Sequence, residues 1–239
     1  MAETSETTTT QDTAAVKPKK ARKPPVSREE QDRIITADSA AALALMDGIQ
    51  ADAEIAGIMA ERGYPEQRFG EGRDLQAALQ GAIEVRQTAM GVEEAAVKLL
   101  EAEDLAARTR YTDFRGTAHP VLIKASDRTT LKLSGNVPRG RGRFVTLATT
   151  SYNGTKAAPY QNILKDYGET TVALDAALKS LKDLSDADTA QNLASGDAQR
   201  ATKLRDDAYK ALMAWIRQLR ALTRNALKQR SDLLTKLEL

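Results

Sequence analysis

Phe144-Val-Thr-Leu-Ala-Thr-Thr-Ser-Tyr152 is the stretch on which the fold class turns. Its β-branched and aromatic residues favour a strand, as do those of Leu131-Lys-Leu133. Gly135-Asn136 and Pro138-Arg-Gly-Arg-Gly142 between the two would suit a hairpin loop. Read as a helix instead, the same stretch places Phe144, Leu147, Ala148 and Tyr152 on one face. Local propensity alone selects the strand, so a longer-range feature has to arbitrate.

Sliding the chain against itself by 105 residues supplies that feature. Without a gap, Gly63 falls on Gly168, Leu79 on Leu184, Ala82 on Ala187, Gly91 on Gly196, Arg115 on Arg220 and Leu122 on Leu227. The densest match lays Ala96-Val-Lys-Leu99 on Ala201-Thr-Lys-Leu204, each five residues after a glycine. Chance identities are common in Ala-rich helical sequence, so a shared binary pattern is the rival explanation. The constant offset and the paired glycines favour an internal duplication. In that frame residues 143–167 correspond to the segment before Gly63, which reads as helix. The frame therefore predicts helix across Phe144–Tyr152, with Pro159 opening a further piece that ends at Tyr167-Gly168.

Working outward, Ser27-Arg-Glu-Glu30 matches a capping box and predicts a helix start. Ile34, Ile35, Ala42, Leu43, Leu45, Met46, Ile49, Ile55, Ile58 and Met59 then recur at helical spacing. Gly63 fits a left-handed cap, and Pro65 prevents continuation. From Glu66 to about Ala125 the expected buried positions are Leu75, Leu79, Ile83, Leu99, Leu100 and Leu105. An unbroken helix there would be roughly 90 Å long, so a break is expected at Gly91 or within Gly116–Pro120. Thr170 to Arg230 repeats the picture, with a break expected at Ser195-Gly196-Asp197. Leu204, Leu212, Trp215, Ile216, Leu219, Leu222 and Leu227 form its apolar side.

The expected architecture is all-α, an elongated multi-helix bundle of two tandem helical repeats with a disordered N-terminal tail. The boundaries read as a Thr-rich then Lys/Pro-rich tail over 1–27, a first repeat over 28–133, a Gly/Arg linker over 134–142 and a second repeat over 143–239. The unit has a Gly63-Tyr64 or Tyr167-Gly168 turn, a Gly91/Ala96 or Gly196/Ala201 pair and a basic end from Arg224 onward. Over about residues 29–239 it resembles uncharacterised tandem-repeat helical proteins of bacteria. That resemblance implies a fold and carries no activity, substrate or catalytic residue. His119-Pro120 departs from the repeat pattern and should kink the last helix of the first unit.

Of 35 basic and 33 acidic residues, positions 1–28 hold six and three, a net +3; the 29 and 30 that remain give −1. The basic excess belongs to the tail. No apolar run approaches the roughly 18–20 residues needed to cross a bilayer, and the first residues lack the basic and apolar regions of a secretory signal. A cytoplasmic location is the default expectation. With no Cys, thiol nucleophiles, thiolate metal sites and disulfides are excluded.

The chemistry-bearing patterns are thin. A helical di-metal carboxylate site wants Glu-x-x-His on two helices, and the single His119 has Gly116 three residues before it. As a base, His119 has no orienting acid nominated by spacing and reads as a solvated loop residue. Phe69-Gly-Glu-Gly-Arg73 lacks the third glycine and the preceding strand of a dinucleotide loop. Trp215, Tyr111, Tyr152 and Tyr209 read as core or core-edge anchors. No cofactor and no metal is expected.

Basic features remain. Lys203, Lys210, Arg217 and Arg224 recur every seven residues, with Arg220 and Lys228 beside them, and form a stripe suited to phosphate contacts or an acidic partner. Lys17, Lys19, Lys20, Arg22 and Lys23 form the strongest basic run but have no aromatics between them for base stacking. The functional expectation is a non-enzymatic structural or protein-interaction module that binds a protein partner or itself. The alternative is a nucleic-acid-associated protein using the tail and the stripe.

Overall fold

A computed structural model describes residues 27–238, the side chain of Arg28 excepted; the tail lysines and Arg22 lie outside the described residues. Every regular element in this part is helical: α1 Arg28–Ala51, α2 Ala53–Glu61, α3 Glu66–Val121, α4 Ala125–Thr130, α5 Arg141–Thr155, α6 Ala158–Leu164, α7 Thr171–Ala226 and α8 Ser231–Lys236. A 3-10 turn, Lys165–Tyr167, follows α6. Phe144–Tyr152 lies inside α5 with Phe144, Ala148 and Tyr152 buried, so long-range packing overrides the strand propensity of this stretch.

The helix ends follow from local chemistry. Ser27 Oγ accepts from Glu30 N at 3.2 Å to open α1. Asp52 then interrupts the first helix with extended backbone, and its Oδ1 accepts from Glu54 N (3.0 Å) and Ile55 N (3.2 Å), capping α2. Gly63 (φ +83°) and Gly168 (φ +88°) both take the left-handed conformation that glycine alone adopts without strain. Tyr64 N donates to Met59 O and Glu169 N to Leu164 O, the same bond one offset apart. Each closes the turn that leads into a long helix.

Helices α3 and α7 each contain 56 residues and start at positions 66 and 171. At 1.5 Å per residue each is about 84 Å long. Neither breaks at its mid-helix glycine. Gly91 and Gly116 are inside α3, and Ser195-Gly196-Asp197 is inside α7. An interior glycine costs a helix only about 1 kcal/mol against alanine, which side-by-side packing of the two helices outweighs. Pro120 sits in the last turn of α3, and the helix ends one residue later. His119, expected in a loop, is therefore an exposed residue on that last helical turn.

Two separate cores show that α3 and α7 run antiparallel. One gathers Phe69 and Leu79 of α3, Leu212, Trp215, Ile216 and Leu219 of α7, Ile35, Met46 and Ile49 of α1, Ile55 and Met59 of α2, and Leu233 of α8. The other gathers Tyr111, Phe114 and Ala118 of α3, Leu174, Leu181 and Leu184 of α7, Phe144, Ala148 and Tyr152 of α5, Leu164 of α6, and Leu131 and Leu133 after α4. The molecule is a long antiparallel helix pair with a small helical head at each end. Buried positions coincide along the two helices: Phe69, Gly72, Leu79, Ala82, Leu100, Ala107, Tyr111, Phe114 and Ala118 lie 105 residues before Leu174, Ala177, Leu184, Ala187, Arg205, Leu212, Ile216, Leu219 and Thr223.

Between the heads the bar is the α3–α7 pair, joined on one side by the first turns of α1. Alanines dominate the α7 side of that contact, where Ala187, Ala194, Ala198 and Ala201 are buried. Leu99, Leu105 and Leu204, expected in the core, are exposed because no other helix packs over their side of the pair.

Of the two alternating glycines in Phe69–Arg73, Gly70 has open space at its Cβ position and Gly72 has a packing reason. A Cβ there would lie 2.5 Å from Trp215 Cη2, 2.6 Å from Trp215 Cζ3 and 2.7 Å from Met46 Sδ. The glycine lets the indole approach α3 closely, boxed by Tyr64 and Phe69 at ring-centroid distances of 6.0 and 6.5 Å.

Candidate functional site

The middle of the bar holds two arginines at positions where the apolar pattern calls for core residues. Arg86 continues the buried row Leu79, Ala82 of α3; Arg205 continues Ala194, Ala198, Ala201 of α7. Their exposures are 5% and 2%. Both reach Asp32 on the second turn of α1: Arg86 Nη1 donates to Asp32 Oδ2 at 2.8 Å, and Arg205 Nη1 donates to Asp32 Oδ1. Arg205 also donates through Nε (3.0 Å) and Nη2 (2.6 Å) to Asp206 Oδ1. Desolvating a guanidinium is costly unless it is paired, so these contacts dock the first turns of α1 onto the middle of the bar.

Beside this network is a cleft of about 300 Å³ lined by Gln31, Arg86, Glu93, Ser195, Gln199 and Arg205, among others. Arg86 Nε is buried there without a hydrogen-bond partner among the described residues. The two guanidinium groups hold and orient the Asp32 and Asp206 carboxylates. Sequence reasoning singled out neither Asp32 nor the two arginines. The available signal was a cation on a regular apolar row.

The predicted basic stripe divides. Lys203, Lys210, Arg217 and Lys228 are exposed along α7 and just beyond it, with Lys210 Nζ 3.5 Å from Asp207 and Arg217 Nε donating to Met213 O at 3.0 Å. Arg220 and Arg224, exposed as well, also line a cleft of about 420 Å³ between α1, α7 and α8, floored by Ala41, Ala44 and Leu45. Lys236 joins them there and donates to Asp52 Oδ2 at 3.1 Å, which holds the Asp52 carboxyl below its ordinary value. The cleft brings together residues that the heptad spacing alone would have kept on one open face.

At the other head arginines serve as structural clamps. Arg108 donates to the carbonyls of Pro138 and Arg139, each at 2.9 Å, and its guanidinium lies 4.5 Å from the Phe144 ring centroid. Arg115 Nη2 donates to Leu133 O (2.7 Å) and Gly135 O (2.9 Å), fastening the connection between α4 and α5. Arg110 pairs with the buried Glu169 through both nitrogens, at 3.0 and 2.5 Å, and this partner raises the Arg110 pKa further above its ordinary value. Tyr111 and Tyr152 are fully buried; burial pushes the Tyr152 phenol well up. Tyr209 hydrogen-bonds Asp38, which together with burial raises its pKa to about 12.

The class defined by this geometry is an all-α, two-headed helical bar with a charge network at its middle. Among the described residues, no group of three or more His, Cys, Asp or Glu side chains is placed to hold a metal ion, and no helix is long and apolar enough to cross a membrane. No protein-family model, curated protein or solved structure matches the chain.

Proposed function

We propose that the chain is a non-enzymatic, cytoplasmic structural or protein-interaction module built from two tandem helical repeats. The observation that carries this reading is the long antiparallel pair α3–α7, which holds two separately packed heads apart along a bar about 84 Å long. Such a bar is suited to presenting surfaces at fixed spacing. Support for the tandem repeat comes from equal helix lengths, starts 105 residues apart, and matching caps and buried positions. The two heads then form by exchange: the helices of each unit pack on its own long helix and on the far end of the other unit's.

The test is affinity capture on the full chain with light scattering on the eluate. A defined stoichiometric complex, with a protein partner or with itself, is the expected result. A strict monomer that retains nothing would sink the reading.

A second reading is favoured by the cleft that Arg220, Arg224 and Lys236 line together. With Lys17, Lys19, Lys20, Arg22 and Lys23 of the tail it would provide phosphate contacts for a nucleic acid. Retention on a DNA or RNA column at low salt, lost on removing residues 1–28, supports that alternative; no retention excludes it.

A further inference from the structure

The middle of the bar presents an apolar face that nothing in the described residues covers. Val85, Val92 and Leu99 repeat every seven residues along α3, with Ala89 and Ala96 each four residues after a Val. Val85, Ala89 and Val92 line a groove of about 630 Å³ together with Asp197 of α7. Leu193 and Leu204 lie four residues before and seven residues after Asp197, within about 40° of it around the helix, so they share this face. Val85, Val92, Leu99, Leu193 and Leu204 are each 51–64% exposed. The row Val85, Val92, Leu99 is turned away from the side of α3 that carries Arg86 and the α1 contact.

We propose that this face is a self-association surface, on which a second copy of the chain packs to complete a four-helix bundle from two α3–α7 pairs. The inference rests on the reading of the protein as an interaction module and names the partner. Three observations select a second copy. The first is pattern: a strict seven-residue apolar row with small residues beside it is the seam of a helix-helix interface, and it is complementary to another such row. The second is area. Five half-exposed aliphatic side chains present roughly 500 Å² of apolar surface, at the upper end for a monomer. Joining two such faces with their alanines and polar rims reaches the roughly 1,200–2,000 Å² of a stable interface.

The third is charge. Along the α7 row, Lys179 pairs with Asp183 (2.6 Å), Lys182 with Asp186 (2.5 Å) and Asp197 with Arg200, so the α7 side of the face is charge-balanced; Glu84 on the α3 rim of the groove is the acid there without an ion pair among the described residues. The N-terminal segment is a poor rival occupant. Residues 1–26 offer only Met1, Val16, Val26 and four alanines as non-proline apolar side chains, with no Leu, Ile or aromatic residue to fill the groove.

Absence of native cysteine makes the test clean. Sedimentation velocity on the full chain should show a concentration-dependent monomer–dimer equilibrium. Val92→Glu with Leu204→Glu should raise the dissociation constant at least a hundredfold while helicity, and the melting temperature measured at concentrations where both proteins are monomeric, stay unchanged. In the wild-type background, Val92→Cys should be captured as a covalent dimer by a short bifunctional thiol reagent. Glu101→Cys, exposed and half a helical turn round from Val92, should not. A monomer at all concentrations, a dimer indifferent to the charged pair, or equal capture at both cysteines would overturn the proposal. A monomer that nonetheless forms a defined complex with a different protein would overturn only this inference and leave the interaction-module reading standing. A monomer with no partner would defeat both.

Discussion

Replacing Gly72 by alanine isolates the contact that sets the approach of α3 and α7 at one head. The added methyl would sit 2.5–2.7 Å from two indole carbons of Trp215 and the sulfur of Met46. Trp215 cannot swing clear because Tyr64 and Phe69 pack against it, and Met46 is fully buried. Overpacking of this kind costs about 1–3 kcal/mol. Against it, alanine in a helix interior is about 1 kcal/mol better than glycine. The net expectation for Gly72→Ala is a loss of up to about 2 kcal/mol, or a fall in melting temperature of up to roughly 4–8 °C for a chain of this size.

Gly91→Ala is the internal control. Nothing lies within 4 Å of a Cβ placed there, so the helix gain of about 1 kcal/mol should appear undiminished. Urea unfolding of the two variants should therefore shift in opposite directions. Trp215, the only tryptophan, reports the site directly through its emission and near-ultraviolet dichroism, which should change in Gly72→Ala and not in Gly91→Ala. Gly72→Ala as stable as wild type, with an unchanged tryptophan signal, would refute the packing.

Asp32→Ala should destabilise by about 1–3 kcal/mol in the same assay, because Arg86 and Arg205 lose their shared partner while solvent reaches part of the site. Arg86→Met combined with Arg205→Met should come close to neutral, since apolar replacement of buried ions removes the desolvation penalty with the attraction; a loss larger than that of Asp32→Ala would contradict this. Tyr209 binds its proton more tightly folded, near 12, than unfolded, near 10, so its contribution is present below about pH 10 and is lost as pH rises toward 12. Urea midpoints at pH 9 and pH 11 should fall less steeply in Tyr209→Phe than in wild type, and equal slopes would count against the Asp38 contact.

Features encoded locally or at a constant offset were legible in the sequence. Ser27 caps α1, Gly63 and Gly168 turn the chain, and the 105-residue frame assigns helix to Phe144–Tyr152 against its own propensity. Features that depend on what lies across the bar were not. Gly72 is explained by Trp215, 143 residues later in the chain, and by Met46. Arg86 and Arg205 resemble surface arginines until α1 is seen to bring Asp32 between them. Leu99 and Leu204 satisfy a core pattern, yet a periodic apolar row does not reveal whether its partner helix belongs to the same chain. The expected breaks at Gly91 and Gly196 failed for a similar reason: helix penalties are local and small, whereas the pairing that overrides them is long-range.

The two-headed bar is tested most directly by one intramolecular distance. Gln67→Cys near the start of α3 and Val172→Cys near the start of α7 provide two exposed labelling sites in a chain without native cysteine. Antiparallel helices with a head at each end put these sites at opposite ends of the bar, about 80 Å apart at 1.5 Å per residue. Single-molecule energy transfer at picomolar concentration should then be close to zero. A separation below about 40 Å would mean that the long helices are broken or parallel, and the account would be wrong.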